Sequence, residues 1–217
     1  MPSHGERLIQ PELLDTLSPE CADARRSRRD LRMINWLMGN HRWILRSVPP
    51  RMRHQERLVE IGAGSGELCQ KLAACGIAAA GLDRWPGPAV PSSLVWHQAD
   101  LRTFTGYADY QAVIANLVLH HLSDTELCQL GQKLNRGPRI ICACEPARRR
   151  LSRRWFAALG PVLGASPVTQ HDALASIAAG FLGHELPTVL GLDDATWSIH
   201  CTETLFGGYR MLAVKRT

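Results

Sequence analysis

The stretch Leu58-Val59-Glu60-Ile61-Gly62-Ala63-Gly64-Ser65-Gly66-Glu67-Leu68 decides the fold of this chain. It is an apolar run with an acid near its end, followed by glycines at alternate positions and then a segment with a helical pattern. Glycine permits a tight turn with positive φ and lets a ligand approach the bare backbone. The stretch therefore predicts a strand, a turn and a helix whose first N–H groups face a polar ligand.

A second signal lies downstream, where Ala78 to Asp83 has the pattern of a short strand that ends in an acid. Asp83 follows Gly66 by 17 residues, close to the offset of about 20 at which a carboxylate meets ribose hydroxyls in a βαβ nucleotide site. The glycine spacing differs from the dinucleotide pattern G-x-G-x-x-G, and Glu67 would repel a pyrophosphate at the start of the helix. A nucleoside without phosphate is thus favoured over a dinucleotide, and over a glycine turn that binds nothing.

The pattern E-x-G-x-G-x-G from Glu60 to Gly66 resembles the first motif of class I S-adenosylmethionine-dependent methyltransferases. That cofactor has a ribose and an adenine but no phosphate, and its ammonium and sulfonium groups suit an acid at Glu60. The segment from Leu117 to Leu122 resembles the small-molecule branch of this superfamily, which includes the quinone-biosynthesis C-methyltransferases. The resemblance covers residues 57–217.

The resemblance implies a set of cofactor contacts at the carboxyl ends of the strands. Asp83 is expected on the ribose hydroxyls. Asp100 is expected on the adenine amino group, with the backbone N–H of Leu101 on a ring nitrogen, and Asn116 is expected near the sulfonium. The implied contacts to S-adenosylmethionine, and to its product S-adenosylhomocysteine (SAH), are Glu60, Gly62, Ala63, Gly64, Gly66, Asp83, Arg84, Asp100, Leu101, Asn116 and Leu117.

The order of predicted elements favours an α/β fold of one domain. We expect a Rossmann-like, seven-stranded, mostly parallel sheet with helices on both faces and a C-terminal β-hairpin that contributes an antiparallel strand. Residues 1–50, which end at Pro49-Pro50, are predicted to form a helical cap or lid. Residues 51–217 are predicted to form the S-adenosylmethionine-binding core.

Composition narrows the class of protein. The 217 residues are 45% hydrophobic and 21% charged, which is typical of a soluble globular protein. The chain has no bilayer-length apolar stretch, and its first ten residues lack the apolar core of a signal peptide, so a cytoplasmic location is expected. The seven cysteines are odd in number and contain no C-x-x-C pair, so neither a disulfide framework nor a metal site is predicted.

The net charge of +5 comes mainly from arginine, which is concentrated in two predicted helical regions. The favoured interpretation is two solvated helix faces, although peripheral contact with a membrane or with RNA stays open. The clusters are Arg25, Arg26, Arg28, Arg29 and Arg32, and Arg148, Arg149, Arg150, Arg153 and Arg154.

Methyl transfer from a sulfonium to oxygen or to an enolic carbon also requires removal of a proton from the acceptor. Histidine suits this role because it changes charge near neutral pH. The predicted catalytic residues are His121 first and His120 second, since both follow the fourth strand; His41 and His171 are further candidates. The predicted acceptor pocket, on the N-terminal helices, is Trp36, Met38, His41 and Trp43.

The segment after the fourth strand also bears on the acceptor. Asn116-Leu117-Val118-Leu119 lacks the Pro-Pro-aromatic run of enzymes that methylate amino groups of bases or glutamine, which disfavours nucleic acid as the partner. We predict transfer to an O or C atom of a small phenolic, quinone or polyketide-like acceptor. The alternatives are an RNA or protein methyltransferase that uses the arginine clusters, and a non-catalytic S-adenosylmethionine-binding partner subunit.

Overall fold

The computed structural model describes residues 5–14, 17, 21–87, 94–159 and 166–216. In this part of the chain the strands are β1 (Arg57–Ile61), β2 (Ala78–Asp83), β3 (Val95–Gln98), β4 (Ala112–Asn116), β5 (Ile140–Pro146), β6 (Trp197–Glu203) and β7 (Gly208–Lys215). The α-helices are α1 (Ala22–Met38), α2 (Asn40–Ser47), α3 (Glu67–Ala74), α4 (Asp124–Arg136), α5 (Arg150–Leu159), α6 (Pro167–Ala179) and α7 (Glu185–Val189). Short 3-10 helices are Pro49–Arg51, Gly106–Asp109 and Leu119–His121.

The strands form one sheet in the order β3-β2-β1-β4-β5-β7-β6. Strands β1 to β5 run parallel, and β7 lies antiparallel between β5 and β6. The predicted seven-stranded fold with its C-terminal hairpin is therefore confirmed. The order reverses between β1 and β4, and the crevice beyond the carboxyl ends of strands at such a reversal is where open α/β sheets bind ligands.

Helices cover both faces of the sheet because successive residues of the central strands point to opposite sides. Val59 and Ile61 of β1 belong to a core that also contains Leu127 of α4. Leu58 lies in a second core, together with Leu68 of α3 and residues of α2. Glu60 shares the face of Leu58, so the alternation of β1 directs this acid toward α3.

Local signals set several helix ends. The Ser123 side chain caps α4 by accepting from the backbone N–H of Glu126, and the Glu126 carboxylate accepts from the backbone N–H of Ser123. Helix α1 ends at Met38 and α2 begins at Asn40, because Gly39 has a left-handed φ of 64°. The two helices occupy the predicted cap region, whereas residues 5–12 are not helical. That this region acts as a lid stays a prediction.

Residues 5–14, named the N-terminal strap below, lie against α6 and the segment after β4. The Arg7 guanidinium donates to the carbonyls of Ala179 and Leu122 at 2.9 and 3.1 Å. Asp172 of α6 accepts from the backbone N–H groups of Leu13 and Leu14 at 2.7 and 2.9 Å. The strap is thus held by long-range polar contacts rather than by secondary structure of its own.

Candidate active site

The glycine turn after β1 has the backbone that its sequence predicts. Gly62, Gly64 and Gly66 have φ values of 65°, 52° and 69°. A Cβ on Gly62 would lie 2.5 Å from Cγ2 of Val118, whereas a Cβ on Gly64 would meet nothing within 4 Å. The first glycine therefore lets the segment after β4 approach closely, and the second leaves open space above the turn. Such open space beside a bare backbone is where a ligand fits.

Asp83 connects the end of β2 to this turn. Its Oδ2 accepts from the N–H of Gly64 at 2.8 Å, and its Oδ1 accepts from the N–H of Trp85 at 3.0 Å. An ionised carboxylate offers about four lone-pair positions, so each oxygen retains capacity for a further donor such as a hydroxyl. Arg84, another predicted contact, is exposed beside it. The arrangement positions Asp83 for the predicted ribose contact, which stays a prediction.

Glu60 is buried, with 4% of its surface exposed, and its Oε2 accepts from Sγ of Cys69 at 3.0 Å. Burial disfavours the carboxylate and raises the pKa of Glu60 to about 8. The side chain is therefore protonated at neutral pH in this state. A cofactor cation nearby would favour its ionised form.

We expect Glu60→Gln to stabilise the protein as pH rises. A carboxyl with a raised pKa binds a proton in the folded state that the unfolded chain has already released. Wild-type stability from this group is fully present below pH 4.5 and is lost as pH rises toward about 8. Glutamine does not titrate, so its advantage should grow by at least about 1 kcal/mol between pH 5 and 8 in urea unfolding. A constant difference across that range would contradict the assignment.

Asp100 and Leu101 follow β3, where the resemblance implies the adenine contact. The Asp100 carboxylate accepts a two-pronged bond from Arg102, with Nε to Oδ1 at 2.9 Å and Nη2 to Oδ2 at 2.5 Å. This pairing with Arg102, together with the bond from its backbone N–H, lowers the pKa of Asp100. The Leu101 carbonyl accepts from the Tyr107 hydroxyl at 2.7 Å. An adenine amino group would therefore share Asp100 with Arg102.

The end of β4 carries a backbone outlier and an amide cluster. Leu117 has a φ of 56°, which is rare outside glycine and often marks a functional segment. The side chain of Asn116 bonds to Asn35 at 3.2 Å and to Asn40 at 3.1 Å. Among the described atoms, Oδ1 of the fully buried Asn40 has no hydrogen-bond partner. This cluster joins the N-terminal helices to the end of β4.

The predicted acceptor-pocket residues lie in different surroundings. Trp36 is 78% exposed, whereas Met38 is 9% exposed. His41 lies against α3, where its Nδ1 is 3.1 Å from Nζ of Lys71. Burial, together with this lysine, lowers the pKa of His41. Trp43 packs against the core on the α3 face, beneath the guanidinium of Arg210.

His120, one of the two predicted catalytic residues, is buried between carboxylates. Its Nδ1 is 2.6 Å from Oε2 of Glu145, and its Nε2 is 3.6 Å from Oε1 of Glu12. Burial alone would lower the pKa of His120, but the two carboxylates outweigh it and raise the pKa to about 9. The ring of His121 lies 4.1 Å from that of His120, and His121 is half-buried. His121 is thus the more accessible of the pair.

Sequence reasoning missed Glu145, Glu12 and Asn40. Glu145 is fully buried, and its Oε1 accepts from the backbone N–H groups of Val118 and Leu119 at 3.1 and 2.9 Å. An acid at the end of a buried strand was a usable signal for Glu145. Glu12 had no such signal, because nothing in the residues around it indicates a contact with His120.

The second arginine cluster is partly used within the fold. Arg148 pairs with Glu185 at 2.7 Å, and Arg149 pairs with Glu203. Arg150, which follows them, is exposed. No helix among the described residues combines the length and apolarity needed to span a bilayer.

Comparison with solved structures finds the same architecture at low identity. The plantazolicin methyltransferase BamL, solved with a triazolic desmethylPZN analog and SAH, has a TM-score of 0.67 at 8% identity, covering 94% of this chain and 93% of that chain. Magnesium protoporphyrin IX methyltransferase (ChlM) from Synechocystis PCC 6803, solved with SAH, has a TM-score of 0.52 at 18% identity, covering 95% and 89%. No family model and no curated protein matches the chain in sequence. At these identities the likeness establishes the fold.

Proposed function

We propose that this chain, whose fold is that of the class I methyltransferases, binds S-adenosylmethionine at the glycine turn and transfers its methyl group to a small acceptor. The acceptor atom is an O or C atom of a phenolic, quinone or polyketide-like molecule. The observation that carries the proposal is the juxtaposition of Asp83 with the open turn at Gly64, at the reversal of strand order. A ribose fits there because a carboxylate and free backbone surface meet at one point.

The chemistry of the cofactor supports the remaining assignments. S-adenosylmethionine supplies the electrophilic methyl group, so the protein must align the acceptor, exclude water and allow a proton to leave. Asn116 and Leu117 end the strand beside the turn, and His121 follows five residues after Asn116. We assign His121 to the departure of the acceptor's proton, either directly or through a group that it holds.

The acceptor class is supported by the segment after β4 and by the neighbours. Leu117 and Val118 are half-buried and apolar, which suits an apolar planar molecule better than a charged polymer. Two solved structures of similar fold are named as methyltransferases of plantazolicin and of magnesium protoporphyrin IX. The alternative RNA or protein methyltransferase would need the arginine clusters, and Arg148 and Arg149 are already paired within the fold.

A two-part experiment tests the proposal. Calorimetric titration with SAH should show one site per chain, and methyl-labelled S-adenosylmethionine should label a member of a panel of phenols, hydroquinones and hydroxypyrones. An RNA transcript and a basic protein serve as parallel acceptors. Label in either polymer with none in the panel would overturn the acceptor class. Absence of SAH binding would overturn the proposal as a whole, and SAH binding with no labelled acceptor would favour the non-catalytic subunit.

The two glycines of the turn should respond differently to alanine. In Gly62→Ala the new Cβ would meet Cγ2 of Val118 at 2.5 Å, so we expect stability to fall by about 1–3 kcal/mol. In Gly64→Ala the Cβ meets no protein atom within 4 Å, so stability should fall by only about 1 kcal/mol while SAH affinity is lost. Urea unfolding and SAH titration of both variants measure this. Unchanged SAH affinity in Gly64→Ala would place the cofactor elsewhere.

A further inference from the structure

Three potential metal ligands converge beside the carboxyl end of β4. The ligand atoms of Glu12, His120 and His121 all lie within 4.8 Å of one another. The histidines belong to the 3-10 helix Leu119–His121, and Glu12 belongs to the N-terminal strap. Glu12 and His120 are 108 residues apart in sequence, and the strap brings the Glu12 carboxylate next to His120.

The surroundings of His120 would orient it as a metal ligand. Nδ1 of His120 is 2.6 Å from Oε2 of Glu145, a carboxylate that is fully buried and accepts from the N–H groups of Val118 and Leu119. Without a metal ion, the raised pKa of His120 keeps both ring nitrogens protonated at neutral pH. A metal ion would have to displace one proton, and because an ionised carboxylate only accepts, the proton that stays would lie on Nδ1 and leave Nε2 for the ion. Nε2 faces Glu12. Histidines that bind metals are commonly oriented by such a carboxylate.

The separation of His120 and Glu12, which form an ion pair in the absence of metal, is also compatible with a bound ion. Nε2 of His120 and Oε1 of Glu12 are 3.6 Å apart, beyond the length of a hydrogen bond. Two ligands at about 2.0–2.2 Å from a tetrahedral Zn²⁺ would be about 3.4 Å apart. Arg7, the cationic residue of the strap, pairs with Asp124 at 2.5 Å rather than with Glu12.

We propose that Glu12, His120 and His121 form a site for one divalent transition-metal ion, with Zn²⁺ as the best fit. Two imidazoles and one carboxylate are a ligand set that zinc enzymes use while keeping a coordination position open. Glu145 orients His120 without touching the ion. The site departs from the expectation of no metal, which was based on cysteine spacing and could not include a glutamate from the strap.

The open coordination position would serve the proposed methyl transfer. This use rests on the proposed function, whereas binding of the metal ion is independent of it. A hydroxyl of the acceptor, bound to the ion, would have a lowered pKa and would release its proton to solvent. His121 would then act as a ligand that holds the activating group. The reacting oxygen would then lie near the end of β4.

Metal titration of the full chain, prepared without a histidine tag and stripped with a chelator, tests the site. Co²⁺ should bind at one equivalent with the visible absorption of low-coordinate cobalt, and Zn²⁺ should displace it. Mg²⁺ should not compete, because it prefers oxygen ligands. His121→Ala and Glu12→Gln should each weaken Zn²⁺ binding by more than about 100-fold. The controls His54→Ala and Glu6→Gln replace exposed residues outside the cluster and should bind as wild type.

Glu145→Gln gives a test that preserves the packing. The glutamine oxygen can still accept from the N–H groups of Val118 and Leu119, but its NH₂ group would donate to Nδ1 of His120. The imidazole proton would then move to Nε2 and block the ligand position. We expect Zn²⁺ affinity to fall by about 10–100-fold. Urea unfolding of the same variant reports separately what the loss of the charge partner of His120 costs in stability.

The outcomes separate the metal site from the proposed methyl transfer. X-ray absorption of the zinc-loaded wild type should show two imidazole ligands. This result does not depend on whether the variants fold. Absence of stoichiometric Co²⁺ binding, or binding unchanged in both His121→Ala and Glu145→Gln, would overturn the site and leave an ion pair of His120 with its carboxylates. SAH titration of the same samples reports the cofactor site independently, so failure of one proposal does not imply failure of the other.

Discussion

Glu145→Ala is expected to lower the free energy of unfolding by about 3–5 kcal/mol, the cost of breaking a buried ion pair on one side. Glu145 is fully buried, pairs with His120 at 2.6 Å and accepts from the N–H groups of Val118 and Leu119. Removal of the carboxylate leaves these donors without an acceptor inside the protein. In a domain of this size the change corresponds to a melting temperature lower by about 6–20 °C.

Urea unfolding of wild type and variant measures the effect. Glu203→Ala is the matched control, because Glu203 pairs with Arg149, whose side chain is 51% exposed. Loss of this ion pair should lower the free energy of unfolding by less than about 1 kcal/mol. If the two alanine variants were equally stable, Glu145 would not be holding the segment after β4. If Glu145→Ala lost stability while Glu145→Gln stayed near wild type, the stabilising contribution of Glu145 would come from its hydrogen bonds to the backbone N–H groups.

Asp83→Ala is expected to raise the Kd for SAH by about 100-fold, which corresponds to about 2.7 kcal/mol. Hydrogen bonds to a charged group are worth about 1.5–3 kcal/mol each, and a ribose diol offers two donors. The variant also removes the bond of 2.8 Å that ties the N–H of Gly64 to β2. Asp83→Asn keeps an oxygen for Gly64 and should therefore fall between wild type and alanine.

Calorimetry with SAH and with adenine separates the two causes. Adenine lacks the ribose, so its affinity should be nearly the same in wild type and in Asp83→Ala if the diol contact dominates. Asp109→Ala is the control, since Asp109 is exposed in the 3-10 helix before β4, at the other end of the strand. SAH affinity unchanged in Asp83→Ala would contradict the assignment of the ribose to this carboxylate.

The predictions that held concern neighbours in sequence. The strand, glycine turn and helix from Leu58 onward follow from local backbone preferences, so the sequence alone predicts them. The approach of Asp83 to Gly64 also follows, because a βαβ unit returns the chain to the adjacent parallel strand. The seven-stranded order came from the resemblance rather than from periodicity.

The surroundings of the histidines could not be predicted in the same way. The sequence places His120 and His121 after β4, but it does not indicate that Glu145 binds one side of His120 and Glu12 the other. Asn40 likewise gives no sign in the sequence of its contact with Asn116. These partners are 25, 108 and 76 residues apart, and each contact depends on how separate elements pack.

The sequence by itself determined the open glycine turn and the acid that faces it, because positive φ and strand periodicity are properties of a few consecutive residues. Only the tertiary structure decided what the segment after β4 can do. A buried carboxylate pairs with Nδ1 of His120, and the N-terminal strap places a second carboxylate near Nε2. Such groups acquire their chemistry from neighbours in space, since burial and pairing determine how readily each of them binds a proton.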